Sequence, residues 1–403
     1  MTATKRKPRA APIEESILVL QGGGALGAYQ AGVYEVLEST RHAPSWVAGI
    51  SIGAINAALI AGNAPEQRVE RMREFWNMVS SKLVARPAGS AVSQRNLHNE
   101  LSASMAIAFG LPGFFSPRFP PPSFQPQGSP GAISYYDTAP LLETLTNMVD
   151  FDLLNSGSVR LSVGAVNVRT GNFTYFDTAQ QRVDARHIMA SGALPPGFPP
   201  IEIDGEFYWD GGLVSNTPLQ YVLDQPGPHH RLVFQVDLFA AMGPMPTSLL
   251  QVTEREKEIR FSSRTRLNTD AELKKQASAQ AARRLLAKLP EKLRKDPDAL
   301  ALLARRHEAA VSVVHLIYRS KNYESQSKDY EFSRASMEDH WQAGSDDMSH
   351  TLHHPMWLGR KQPSTGVHTF DLAFDGPSTD KTIKTKGLGV GADAKLTQVA
   401  RKQ

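Results

Sequence analysis

The chain has 403 residues, 41% hydrophobic and 21% charged, with a net charge of +4 and no cysteine. That length and composition suit a globular protein with a substantial core. The missing thiols exclude disulfides, thiolate zinc sites, iron–sulfur clusters and a cysteine nucleophile. The start, MTATKRKPRAAPIEES, is basic and polar and lacks the apolar core of a secretory signal. No stretch reaches the ~20 apolar residues of a spanning helix. The expectation is therefore a cytoplasmic or peripheral membrane protein.

Residues 1–15 read as disordered. From Ser16 a strand (SILVL) leads into the glycine loop QGGGALG and a helix to about Glu38. A second strand, WVAGI, turns sharply into the Ala-rich helix GAINAALIAG, and helical character continues through PEQRVERMREFWNMVSS. This β-loop-α rhythm predicts an α/β protein whose strand ends carry functional loops.

Residues 81–132 break the rhythm. Seven prolines and four phenylalanines fall between Leu111 and Pro130, a composition suited to a lid or to a loop clamped on the surface. The segment around Met105 to Phe124 is placed to line or cover an apolar pocket. Helix, strand and turn patterns then follow in PLLETLTNMVDFDLL, VRLSVGAVNV, GNFTYFD, DARHIMASGAL, IEIDGEFYWDGG and RLVFQVDLF. Residues 16–240 thus read as one α/β domain. Residues 241–375 read as a helical extension with one strand (VSVVHLIYR) and a polar His- and Trp-containing stretch, and 376–403 as a flexible tail.

Charge is uneven. Residues 254–306 carry 15 Lys+Arg against 8 Asp+Glu, a surplus of 7, so the rest of the chain sums to −3. Such a run is either a solvated helix face or a surface for anionic lipid headgroups. It is not accompanied by any zinc-finger spacing, aromatic-basic run or helix-turn-helix pattern, so nucleic acid is not expected.

Two glycine motifs carry the chemistry. Gly22, Gly24 and Gly27 satisfy G-x-G-x-x-G, the pattern of a dinucleotide-binding turn. An NAD-dependent reading needs an acidic residue at the end of the second strand, ~20 residues on. That strand ends in Gly49-Ile50-Ser51, and the nearest acids, Glu35 and Glu38, lie on the preceding helix. Gly49-Ile50-Ser51-Ile52-Gly53 is instead G-x-S-x-G at a strand-to-helix turn, where the serine hydroxyl projects from the sheet as a nucleophile. The glycine loop then makes better sense as an oxyanion hole built from the Gly23 and Gly24 amides. Such donors are worth ~3 kcal/mol each in comparable sites.

The serine needs a base. Of the twelve histidines, His187 in DARHIMASG has the best context, but a structural role suits each of them. Asp210 is the better candidate. It follows the strand-like FYW and precedes Gly211-Gly212, so it joins the glycine loop and the serine elbow just past strand ends, where an α/β sheet places its site.

Gly22-Gly23-Gly24-Ala25-Leu26-Gly27, Gly49-Ile50-Ser51-Ile52-Gly53, Asp210-Gly211-Gly212 and ASGALPPGFPPI (190–201) together resemble the signature blocks of the patatin-like phospholipases. The resemblance runs in order from about Ser16 to Leu219. It implies a three-layer α/β/α fold with a mostly parallel central sheet. It also implies a metal-free, cofactor-free lipid acyl hydrolase with a Ser51–Asp210 dyad, and Gly22, Gly23, Gly24 and Gly27 framing the oxyanion hole. The downstream KDYEFSRASMEDHW looks like the C-terminal extension of a bacterial patatin subgroup. Many family members carry Arg or Lys where this chain has Leu26, which removes a positive charge from the loop. A polyester or thioester substrate, or a lipid-surface binding protein without turnover, are the alternatives.

Overall fold

A computed structural model describes residues 14–84, 92–225, 230–304, 310–363 and 366–373. The expected tail 376–403 and all but the last two residues of the expected disordered N-terminus lie outside the described residues, as does 85–91 of the Pro-rich segment.

The elements in chain order are β1 (Glu14–Leu20), α1 (Gly27–Glu38), β2 (Trp46–Gly49), α2 (Ile52–Ala61), α3 (Arg68–Val79), α4 (Val92–Phe109), β3 (Ser116–Pro117), β4 (Tyr136–Asp137), α5 (Ala139–Met148), α6 (Phe151–Asn155), β5 (Arg160–Asn167), β6 (Phe173–Asp177), α7 (Ala185–Ser191), β7 (Ile201–Ile203), β8 (Glu206–Asp210), α8 (Leu219–Asp224) and β9 (His230–Asp237). They continue with α9 (Leu249–Phe261), α10 (Thr265–Leu286), α11 (Glu291–Arg294), α12 (Pro297–Ala304), β10 (Val311–Ile317), α13 (Arg334–His353), α14 (Pro355–Leu358) and β11 (Val367–Asp371).

Nine strands form one sheet in the order β11-β10-β9-β1-β2-β5-β8-β7, with β6 also on β5. The six from β11 to β5 are parallel, and β6, β7 and β8 pair antiparallel. The parallel strands are buried on both faces, as their continuous apolar runs require. Leu18, Leu20, Phe234 and Leu316 face a core shared with α1, α2, α3 and α13. Ile17, Val19, Val233 and Val313 face the opposite core, with Leu219 and Val222 of α8. The fold is thus the expected three-layer α/β/α arrangement with a mostly parallel sheet and a largely helical C-terminal part.

Three boundaries differ from the sequence reading. β1 begins at Glu14, not Ser16, because Glu14 and Glu15 pair with His230 and Arg231 on β9 and Glu14 is held by Arg360. The 81–132 segment contains the 18-residue helix α4, whose buried Asn99, Ser102, Ala103 and Ala106 dock it. The polar stretch after residue 330 contains α13, which packs tightly on α1. A Cβ on Gly32 would lie 1.9 Å from the Trp341 carbonyl, and one on Gly344 would lie 2.0 Å from that of Tyr29. Only glycine permits that approach.

The basic segment 254–306 is partly neutralised within the fold. Arg255, Lys257, Arg260, Lys275 and Lys295 each pair with a carboxylate. Among the described residues, no helix is long and apolar enough to cross a membrane.

Candidate active site

The strand pairing itself brings Ser51 and Asp210 together. β6 covers one edge of β5 over residues 162–166. β2 pairs with β5 over 160–163 and β8 over 165–167. Because a strand has only two edges, β2 and β8 must lie end to end on the other one. Ser51 follows the end of β2, and Asp210, opposite Ala165, is the last residue of β8. The two therefore meet beside Gly164.

Ser51 occupies the sharp turn that its motif predicts, with φ 55° and ψ −124°. A positive φ is uncommon for a residue with a side chain and is stored strain. What holds it is local. Its N–H points at both the carbonyl and the hydroxyl oxygen of Ser191, each at 3.1 Å. The Ser191 hydroxyl in turn donates to the Gly164 carbonyl at 2.7 Å, tying the elbow to β5. The flanking glycines are forced by space: a Cβ on Gly49 would lie 2.2 Å from the Gly53 carbonyl, and one on Gly53 2.5 Å from that of Leu20. Ser51 also precedes the first turn of α2, whose positive end favours negative charge at its oxygen.

Asp210 is buried, 2% exposed. Its carboxylate accepts the Gly212 N–H at 2.6 Å, and the Ser51 side chain lies near enough to favour its charged form. Burial pushes its pKa up to about 6, and these two neighbours only partly counter the rise. Gly211 lies against β5, where a Cβ would be 2.6 Å from the Gly164 carbonyl.

The glycine loop sits between β1 and α1. A Cβ on Gly22 would lie 3.1 Å from the Ser51 Cβ, so the loop passes directly beside the serine. Gly27 packs against Ile52 and Trp76. Gly22 donates its N–H to the Asn216 carbonyl and Ala25 to the Asp329 carbonyl. Among the described residues, the amides of Gly23 and Gly24 between them meet no acceptor. Leu26 is fully buried in the core, so this position contributes no charge to the site.

His187 is spent elsewhere. Its Nδ1 accepts the Asp184 N–H at 3.0 Å in a capping box on α7, and its ring lies edge-on to Phe176. Among the described residues, no three His, Asp or Glu side chains are grouped to hold a metal ion.

Several site residues escape a sequence reading. Gln21 satisfies four partners: its Oε1 accepts from the Leu238 and Phe239 amides, and its Nε2 donates to Thr217 and the Phe261 carbonyl. Asn216 Nδ2 donates to the carbonyls of Gly22 and Phe261, both at 3.0 Å. Asn56 donates to the Gly27 carbonyl and the Gln30 side chain, and Gln30 to the Gln21 carbonyl. Glutamine and asparagine carry no motif, and only the folded contacts give them a role.

Comparison with known proteins follows the same lines. Residues 18–223 match the family profile described as patatin-like phospholipase, and 259–364 match one described as patatin phospholipase. No curated protein matches. Among solved structures, VipD from Legionella pneumophila is 15% identical over 81% of this chain and 67% of its own, with a TM-score of 0.32. The type III effector ExoU is 16% identical over 83% of this chain and 54% of its own, with a TM-score of 0.26. The ExoU–SpcU complex from Pseudomonas aeruginosa gives 15% identity over 88% and 74%, with a TM-score of 0.27. Scores this low carry no functional weight, and the chain spans about half of the ExoU chain. The profile match alone takes in more than half of this chain and contains the glycine loop, the serine elbow and Asp210: the chain belongs to the patatin-like phospholipases, a family of lipid hydrolases.

Proposed function

We propose that the protein is a serine acyl hydrolase that cleaves carboxylic esters of lipids, with Ser51 as nucleophile and Asp210 as the general base. The observation that carries this reading is the strand pairing that sets Ser51 beside the buried Asp210 carboxylate, whose pKa burial pushes up to about 6. An ordinary carboxylate near 3.9 is too weak a base to take a serine proton effectively, and a base closer to neutrality is better matched.

In the acylation step, the Ser51 Oγ attacks the ester carbonyl carbon and its proton passes to Asp210. Negative charge collects on the carbonyl oxygen, where the Gly23 and Gly24 N–H groups act as donors and the α2 N-terminus adds positive potential. The tetrahedral intermediate collapses, the C–O bond to the alcohol breaks, and Asp210 returns its proton to the leaving oxygen. Water then attacks the acyl-serine, Asp210 takes one of its protons, and collapse frees the fatty acid and reprotonates Ser51. Gly22, Gly27, Gly49, Gly53, Gly211 and Gly212 hold the backbone in which these groups meet.

An apolar rim around this region suits an acyl chain. Phe114, Phe115, Tyr136 and Phe198 form one aromatic cluster. It reaches the elbow through residues 192–198, since a Cβ on Gly192 would lie 3.9 Å from the Ser51 Cα. Leu194, Leu213 and Val214, which follow Gly192 and Gly212 closely in the chain, are exposed.

The test is hydrolysis of p-nitrophenyl esters from C2 to C16 by the wild type, Ser51→Ala and Asp210→Asn, each checked for fold by circular dichroism. The expected result is turnover by the wild type with a medium- or long-chain optimum, lost in both variants. Undiminished turnover by folded Ser51→Ala contradicts the assignment, and a wild type inert on every chain length favours a binding role.

A further inference from the structure

Two carbonyls from the C-terminal region hold the glycine loop. The first belongs to Asp329. Its oxygen accepts the Ala25 N–H at 2.8 Å, and a Cβ on Gly24, whose φ is +54°, would lie 2.0 Å from it. The second belongs to Phe261, the last residue of α9. Its oxygen accepts Gln21 Nε2 at 2.9 Å and Asn216 Nδ2 at 3.0 Å, so it grips the residue before the loop and the residue behind Gly22.

Both carbonyls depend on α9. Lys257, one turn before Phe261, forms an ion pair with the Asp329 carboxylate and donates to the Gln326 carbonyl at 3.0 Å. Lys328, the residue before Asp329, is buried and pairs with Glu254 and Glu258 on the same helix at 2.9 and 2.8 Å. Charge thus fastens 326–330 to α9, and α9 and 326–330 together press on the loop from outside residues 18–223.

We infer that α9 and residues 326–330 are a positioning clamp for the oxyanion loop, with Lys257 and Asp329 as positioning residues. The inference rests on the acyl-hydrolase reading above. Oxyanion donors are effective because they are already aimed before charge appears. A run of three glycines is the most mobile backbone a chain can present, so a fixed neighbour has to remove that freedom. The Lys257–Asp329 pair is half-buried, so removing one partner is expected to cost some melting temperature as well as turnover, and the inhibitor Ki reads the loop separately.

The experiment compares wild type, Lys257→Met, Asp329→Asn, Lys257→Arg and the remote control Lys295→Met, whose ion pair with Glu291 is fully at the surface. The readouts are kcat, KM, melting temperature and the Ki of an alkyl trifluoromethyl ketone, which adds to the serine and leaves an oxyanion in the hole. Lys257→Met and Asp329→Asn are expected to lose roughly 5- to 30-fold in kcat, the size of a small misplacement of the donors. Ki should rise by the same factor with KM within about twofold, Lys257→Arg should recover most of the activity, and Lys295→Met should match the wild type. If folded Lys257→Met or Asp329→Asn keeps both kcat and Ki near wild type, the clamp is overturned. It is also overturned if kcat falls while Ki stays constant. Should Lys257→Met fail to fold, Asp329→Asn, which leaves the backbone carbonyl in place, decides alone. A wild type without Ser51-dependent activity defeats the acyl-hydrolase reading instead. The clamp then stands or falls on whether the Ala25 amide exchanges hydrogen faster in Asp329→Asn.

Discussion

Asp210→Asn should make the protein more stable at neutral pH while abolishing its activity. The Asp210 carboxyl has a folded-state pKa of about 6 against 3.8 when free, so the fold prefers the protonated form. The sign follows from linkage: this group leaves stability intact below the free value, and stability falls as pH rises through the folded value. A rise of about 2 units corresponds to about 3 kcal/mol once the carboxylate is fully ionised. Asparagine keeps the shape and an acceptor for the Gly212 N–H without the buried charge. Urea unfolding of wild type and variant at pH 4, 6 and 8 measures the difference. The stability gain of Asp210→Asn should be small at pH 4 and grow by about 2 to 3 kcal/mol by pH 8, most of it between pH 4 and 6. A gain that does not change with pH would refute the claim that burial of this carboxylate sets its pKa.

The same pKa predicts the acid limb of the pH–rate profile. The base must be ionised to accept the Ser51 proton, so kcat/KM is expected to rise tenfold per pH unit below about 6 and to level off above it; a limb near 4 would contradict it. Ser191→Ala removes one acceptor of the Ser51 N–H and the bond to the Gly164 carbonyl. About 1 to 2 kcal/mol of stability and roughly tenfold in kcat should be lost, read by urea titration and ester hydrolysis. Gly344→Ala forces α13 away from α1 and should lower stability by about 2 to 4 kcal/mol in the same titration. A loss below 0.5 kcal/mol would mean that the helices separate at little cost.

The parts of the site that could be read from the sequence are those carried by short contiguous motifs. G-x-S-x-G, the glycine loop and Asp210-Gly211-Gly212 are each contiguous in the chain, although the atoms that force Gly53, Gly24 and Gly211 belong to the distant Leu20, Asp329 and Gly164. The strand run of β9 and the helix α7 follow from short-range periodicity in the same way. What escaped is non-local. No pattern reveals that β2 and β8 share one edge of β5, because that depends on β6 taking the other. Leu26 reads as a missing charge, yet its fully buried side chain belongs to the core. The helical extension is expected, but its α13 stretch reads as merely polar because its buried face carries Ser336, His340 and Gly344 among apolar residues. The polar groups among them are matched across the fold: His340 pairs with Glu324 at 2.7 Å, and Arg95 donates to Ser336 at 3.3 Å. The basic segment reads as a solvated face or a lipid-facing surface, and composition gives no sign that Lys257 within it fastens the stretch that contacts the glycine loop.

The most direct measurement is covalent labelling. The wild type, Ser51→Ala and Asp210→Asn are incubated with an alkyl fluorophosphonate, and the adduct is located by mass spectrometry of the digested chain. The account predicts one adduct, on Ser51, formed faster as pH rises through about 6, absent in Ser51→Ala and greatly slowed in Asp210→Asn. An adduct on another serine, or labelling of Ser51 that proceeds at the wild-type rate in Asp210→Asn, would contradict it.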